Sequence, residues 1–559
     1  MDEMKHHIDT HALTRRELIG AGCALAGTAA LAGCSGERGQ AASGSFGSSA
    51  TSEVDPAHQV VIAMNTSSEP AAGFDPLVSW GCGEHVHEPL IQSTLITTDE
   101  DLAFQGDLAT EWLCSDDGLT WTFTLRDDVV FSDGEPLTAS DVAFTLNEAA
   151  SSATFEADLT MVERAVAASD TVVELHLKKP YNALLYTLAV LGIVPEHAYG
   201  ESYGSAPIGS GRYLLERWDP GQQAIFRANS LYYGEAPAME RVVVVFMDED
   251  AALAAVAAGE VDIAYTFATH ARQAFSGYEL VSYATVDSRG ISLPAIPAGS
   301  TKVEDGDIAY SAGNDATCDV AVRRAICTGI DRDRVIVNVL EGFGKPAFSV
   351  SDGMPWSSAD MEVAYDAAAA GELLDAAGWR AGDDGIRAKD GVRAAFDLWY
   401  SSDDSVRQAM AYEVADQLAQ IGIEAVPCGG SWDEVYLHQY EAPVLWGWGS
   451  NSPIEVYALN YSTGWGNYAC YENASIDAHL DDALAASDIE DSYAHWQLAA
   501  WDGEDGFALR GAATWAWIAN VDHLYFKRTG LDVAAQKPHP HGHGWSLANN
   551  VDRWTWRDR

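Results

Sequence analysis

Histidines are the first residues of the chain whose spacing suggests chemistry. His85 and His87 stand two apart in GEHVHE, and His539, His541 and His543 repeat that spacing in HPHGHGW. On an extended chain, side chains two apart point the same way, and imidazole is the commonest transition-metal ligand. His85, His87, His541 and His543 are therefore the expected metal-ligating set, suited to nickel or a nickel chelate. A structural reading stands beside it. Pro538, Pro540, Gly542 and Gly544 make a loop whose imidazoles would only cap backbone groups. Trp446 and Trp448, also two apart, share a face and serve either as cavity wall or as plain core. No GxxxxGK[ST], HExxH or GxSxG occurs, and no GxGxxG follows a strand. No catalytic residue is assigned, and an ATPase would have to be a separate partner.

Composition narrows the partners. The 559 residues carry 83 Asp+Glu against 32 Lys+Arg, a formal charge of −51. That excludes nucleic acid, which needs a basic footprint to neutralise phosphates, and disfavours docking on anionic lipid through a polybasic face. At 47% hydrophobic, the chain can bury real cores. Eighteen tryptophans are many for such a chain and serve either as core packing or as the walls of an aromatic-lined cavity.

The first 34 residues read as an export signal. Thr14-Arg15-Arg16-Glu17-Leu18 looks like a twin-arginine motif, followed by a Gly/Ala-rich apolar run to Gly33. Asp2, Glu3 and Asp9 are unusual company for it, so the general secretion path stays open. Leu31-Ala32-Gly33-Cys34 resembles a lipobox, which makes Cys34 the expected lipidation site. Residues 35–57 are rich in Gly, Ser and Ala and form a flexible tether. No later run reaches about 18 uninterrupted apolar residues, the length of a membrane span. Besides Cys23 and Cys34, six cysteines remain, which permits up to three disulfides of undetermined pairing. Cys327, in an apolar helical stretch, is the one expected to be a buried free thiol.

The elements that would position these residues alternate. LTWTFTLRDDVVF (residues 119–131) switches apolar and polar in period two, as a half-buried strand pair does. Ser140 is a candidate N-cap for the helix after it. RVVVVFM (241–247) is a continuous β-branched run, suited to a strand covered on both faces. AAAAGELLDAAGW (367–379) and SVRQAMAYEVADQLAQ (405–420) have helical periodicity. Strands alternating with helices predict an α/β fold, with mixed sheets and flanking helices, and no repeat of fixed period occurs.

Six blocks in order resemble the solute-binding proteins of the peptide/nickel class of ABC importers, family 5. They are residues 108–147 (LATEWLCSDDGLTWTFTLRDDVVFSDGEPLTASDVAFTLN), 206–237, 253–265, 319–347, 365–379 and 473–488. The resemblance runs from about residue 60 to 530. It implies a two-lobed periplasmic-binding-protein-like fold with an extra subdomain and two hinge crossings. Mapped by motif, residues 58–287 are lobe I with an insert at about 95–203, residues 288–509 are lobe II, and residues 510–559 return to lobe I. Gly290 and Pro294 fall near the first crossing. The resemblance also implies the function: an extracytoplasmic lipoprotein, acting as a monomer, that hands a peptide-like solute or nickel chelate to a permease and its ATPase. In the family an acid in the Trp-rich segment of lobe II often meets the ligand amine. Here Trp446, Trp448, Ser450 and Asn451 fill that segment, and Ser450 and Asn451 stand where Asp is usual. His85 and His87 lie in the early segment that lines the cleft in relatives. A metallohydrolase built on the histidines, or a sensory or adhesive lipoprotein of the same fold, are the competing readings.

Overall fold

A computed structural model describes residues 54–78, 81–82, 85–152, 159–304, 308–541 and 544–557, with the backbone alone at 81, 82, 85 and 86. The export signal, Cys34 and nearly all of the tether lie outside the described residues. Numbered along the chain, strand β1 (Gln59–Met64) opens lobe I. The insert follows, with β2 (Ala109–Cys114), β3 (Thr120–Leu125), helix α1 (Ala139–Ser151), β4 (Val162–Ser169) and β5 (Val172–Leu177). Lobe I resumes with β6 (Tyr213–Asp219), β7 (Gln223–Ala228), β8 (Arg241–Phe246), α2 (Glu249–Ala258), β9 (Ile263–Thr266) and β10 (Tyr278–Tyr283). Lobe II contains β11 (Ser288–Ser292), α3 (Val320–Gly329), β12 (Gly344–Pro346), β13 (Ala395–Ser401), α4 (Ser405–Gln420), β14 (Glu424–Gly430) and β15 (Val444–Trp448). Helices α5 (Ile454–Asn460), α6 (Ala474–Ala485) and α7 (Ile489–Ala500) precede β16 (Trp515–Val521) and β17 (His523–Arg528).

Three sheets carry the architecture. Lobe I holds a seven-stranded sheet, β6-β7-β8-β1-β9-β17-β10. Lobe II holds a six-stranded sheet, β12-β16-β11-β15-β13-β14, and the insert a four-stranded one, β2-β3-β5-β4. β8 sits between β7 and β1, and every residue after Arg241 is buried, as a continuous apolar strand requires. In β3, Phe123 and Leu125 are buried while Thr120, Thr122 and Thr124 are half-buried. Helix α1 starts two residues earlier than its sequence suggests. Thr138, not Ser140, is the N-cap, because its hydroxyl accepts from Ser140 N while Asp141 bonds back to the Thr138 backbone. On α4, Val406, Met410, Ala411, Val414 and Leu418 are buried, and Asp404 caps the helix through two backbone N–H groups at 2.9 Å.

The two lobes join through two short crossings. The first runs between β10 and β11, at residues 284–287. The second is Asp522, between β16 and β17. The return to lobe I thus comes later than residue 509, because β16 supplies the partner that β11 needs on its second edge. Gly290 lies inside β11 rather than at the crossing. It faces Trp517, and a Cβ there would come within 2.5 Å of the indole. Its role is to let an aromatic ring lie flat across the sheet. Beyond β17, Trp545, Leu547, Val551 and Trp554 pack into the core of lobe I with Val60, Ile62 and Met64.

Gly290→Ala should destabilise the protein by about 1–3 kcal/mol through overpacking against Trp517. Urea denaturation followed by circular dichroism measures this, and an unchanged midpoint would show that the ring yields.

Candidate functional site

The two crossings are tied together at one carboxylate. Asp287, fully buried at the end of the first crossing, forms a two-oxygen pair with Arg289, whose Nη2 lies 3.2 Å from Oδ2. His523 Nε2, at the end of the second crossing, lies 2.9 Å from Oδ2. His541 Nδ1, from the C-terminal segment, lies 2.7 Å from Oδ1. Burial would raise the Asp287 pKa, but Arg289, His541 and His523 overcome it and hold the carboxyl well below its usual range. The backbone reinforces the knot. Val521 N donates to Asp287 O, Val286 N to His539 O and His539 N to Ala284 O, and Thr285 Oγ1 bonds Val521 O. The C-terminal HPH segment is thus a third strand-like member of the hinge.

Two of the expected metal ligands reach this region, but not as a metal centre. His541 is engaged by Asp287, and His87 is buried close by, with Nδ1 3.4 Å from Ser546 Oγ and Nε2 without a hydrogen-bond partner. The His85 side chain and His543 lie outside the described residues. Among the described residues, no three His, Cys, Asp or Glu side chains are arranged to hold a metal ion. Burial, with help from His541 and His523, pushes the His87 pKa down to about 3. Burial likewise lowers His539 and His541, so all three are neutral imidazoles at neutral pH.

Beside the hinge, lobe II presents an aromatic face. Across β15, β11 and β16 the register aligns Trp446, Gly290 and Trp517, so the glycine leaves room between indoles. Trp446 stacks on Tyr468 at 4.3 Å and on Trp432 at 5.9 Å, and Trp515 stacks on Trp517 at 4.8 Å. Trp446 and Trp448 are both buried, sharing the face their spacing implies, and Trp446 Nε1 donates to Ser292 Oγ. Ser450 and Asn451 follow at the strand's end. Ser450 Oγ accepts from Ser452 N, and Asn451 Nδ2 lies 3.5 Å from Pro538 O, next to the hinge. A cavity of about 20 Å³ lies against this face, lined by Trp356, Trp496, Trp515 and Trp517 with Ser349 and Asn460. Its lining comes from lobe II alone, and it has room for about one water.

The sequence reading missed four residues of the site. Asp287, Arg289 and Arg407 form one charged group over Gly447, where any side chain would meet both guanidinium groups. Arg407 is paired with Asp404 at 2.8 Å and lies over the Trp432 ring. The fourth, Glu455 on α5, is buried four residues beyond Asn451, and burial together with the Asp287 charge raises its pKa to about 8. Only the DxR spacing of 287–289 hinted at any of these. No disulfide forms among the five described thiols, at Cys114, Cys318, Cys327, Cys428 and Cys470. Cys327 is a buried thiol, as expected, its Sγ 3.4 Å from Trp515 O.

Comparison with known proteins identifies the family and the fold. Residues 103–469 match the model for the bacterial extracellular solute-binding proteins, family 5. Protein XP55 of Streptomyces lividans is 33% identical over 490 residues, covering 83% of this chain and 84% of that one. The oligopeptide-binding protein AppA of Bacillus subtilis is 28% identical over 436 residues, covering 72% and 76%. Among solved structures, NikZ of Campylobacter jejuni in complex with Ni(L-His) superposes with a TM-score of 0.76 at 22% identity, covering 90% of this chain and all of that one.

Stability should peak near pH 6.5. His87, His539 and His541 titrate lower in the folded chain than in the unfolded one, which has histidine values near 6.5. As pH falls below about 6.5, the unfolded state binds the extra protons and stability drops, at about 1.4 kcal/mol per pH unit for each proton. Glu455 has the opposite sense. Folded, it keeps its proton up to about 8, so its contribution is complete at low pH and is lost as pH rises toward that value. Calorimetric melting from pH 5 to 8.5 checks this, and Glu455→Gln should flatten the alkaline side and steepen the acid side, since its contribution is lost from about pH 4.5 up to about 8.

Proposed function

The chain belongs to the bacterial extracellular solute-binding proteins, family 5, and on that footing we propose how it captures its solute. It is an extracytoplasmic substrate-binding protein of an ABC importer. It closes two lobes on a small solute and presents the closed form to a membrane permease, whose ATPase supplies the energy. The observation that supports this best is the hinge: two crossings only a few residues long, locked by Asp287, beside a buried aromatic face. Hinge closure of this kind traps a ligand without turnover. Fixed charge is held at the hinge, in internally matched pairs, and the aromatic face itself carries none.

The solute is a peptide-like molecule or a metal chelate, the ligand types named for AppA and NikZ. Asn451 offers an amide where a carboxylate would neutralise a free amine. An ammonium shut in the cleft against it would go unpaired, a cost of several kcal/mol. Unmodified dipeptides should therefore bind weakly. A chelate avoids that cost, and the neutral His87 and His541, brought to one region, can meet a metal without a prior counter-charge. Residues 1–34 act as the export signal with its lipobox, and Cys34 carries the lipid that tethers the mature protein to the membrane.

Calorimetry with nickel–histidine and with the dipeptide Ala-Phe tests the ligand reading. Asn451→Asp should tighten Ala-Phe binding by about 10- to 100-fold, the worth of one charge-assisted hydrogen bond. His87→Ala should weaken nickel–histidine by at least about tenfold. Tight Ala-Phe binding by the wild type, indifferent to His87→Ala, would remove the chelate from consideration.

Anchoring is checked separately. Cys34→Ala should move the protein from the membrane to the soluble fraction, and a variant that stays with the membrane would exclude lipidation at this residue.

A further inference from the structure

We infer that Asn182 is the latch that holds the insert of lobe I against lobe II, and that it sets how long captured solute is retained; this rests on the solute-binding reading above. Asn182 lies in the turn after β5, in lobe I, and is buried at the seam between the lobes. Its backbone N–H donates to Leu484 O at 2.9 Å. Its side-chain amide Nδ2 lies 2.8 Å from Ala483 O, 3.3 Å from Asp488 O and 3.4 Å from Ala486 O. These acceptors lie at the C-terminal end of α6 and in the turn that leads to α7, about 300 residues away in the chain.

The last carbonyls of a helix have no partner inside the helix. The usual remedy is a left-handed residue, most often glycine, just past the end, whose backbone N–H groups fold back. Helix α6 lacks that device. Ala486 leaves it with φ −57° and ψ 147°, and the following residues are Ser487 and Asp488. One amide from the opposite lobe takes up the duty. When the lobes part, the same carbonyls must turn to water, and the amide loses all its partners at once.

Apolar contacts flank the latch. Tyr181 and Leu184, on either side of Asn182, are buried in the same core as Leu480 and Leu484 of α6. Tyr186 meets Trp356 edge-on at 5.7 Å, and Trp356 lines the cavity against the aromatic face. Through that contact the seam that Asn182 fastens reaches the aromatic face of lobe II. Lys179 and Asp481, 3.9 Å apart and largely exposed, add a weak charge contact at the rim.

The test uses the whole chain and two variants. Asn182→Asp keeps the size but replaces the donors with a carboxylate facing carbonyl oxygens, and Tyr186→Ala removes the ring across the same seam. Small-angle scattering without ligand should show a larger radius of gyration for both, with unchanged far-ultraviolet circular dichroism. Stopped-flow release of nickel–histidine, or of Ala-Phe if the wild type retains that instead, should be about tenfold faster, as expected for losing more than one net hydrogen bond. A folded Asn182→Asp protein with wild-type dimensions and release would overturn the latch. If Asn182→Asp does not fold, Tyr186→Ala decides on the same two readings. If neither probe binds the wild type, the solute reading fails, while the scattering still decides the latch.

Discussion

A single buried carboxylate holds this molecule's parts in register. Asp287 receives Arg289 from the strand it leads into, His523 from just after the second crossing and His541 from the C-terminal segment. Removing the carboxylate would leave a guanidinium buried without a counter-charge, which costs far more than the pair contributes when intact. The arrangement therefore yields specificity of geometry more than raw stability. Both crossings and the tail must arrive together before any one of them can be dry. Arg407 and Asp404 extend the same logic one step toward lobe II, balancing charge beside the first pair.

Much of the fold was legible because local patterns and global packing agree. The apolar run of β8 is a strand buried on both faces, and the buried positions of α4 follow the helical period of its sequence. Ordered motifs from residue 108 to 488 pointed to two lobes. The position of the first crossing was legible, but the knot that ties the hinge was not, because its cross-linking partners are more than 230 residues apart and nothing in HPHGHGW shows that one imidazole will meet an aspartate. Metal-like spacing has the same limit: two histidines on one side of a strand say nothing about what faces them. Glu455 escaped notice because its single turn of separation from Asn451 matters only once α5 folds back beside the hinge.

Tryptophan usage has a structural logic on both sides of β11. One face of lobe II's sheet carries Leu445, Ala516 and Ile518 into an aliphatic core with helices α3 and α4. The other carries Trp446, Trp448, Trp515 and Trp517, which are large, flat and individually able to hydrogen-bond. A face made of stacked rings can exchange one flat neighbour for another without rebuilding the sheet beneath it. That suits a surface that must be closed when unoccupied and reopened for cargo.

Strand order also bears on how the chain is made. In lobe I, β9 and β10 are both synthesised before residue 284, yet they are not neighbours, because β17 lies between them. Their facing edges stay bare until residue 528 has emerged. All of lobe II's sheet is made in that interval, so the second lobe can be complete while the first still has a gap. Open strand edges are templates for wrong pairing, and long-range pairing is slow. The half-made protein is thus most exposed to aggregation in its first-made lobe, which only its last-made segment can close.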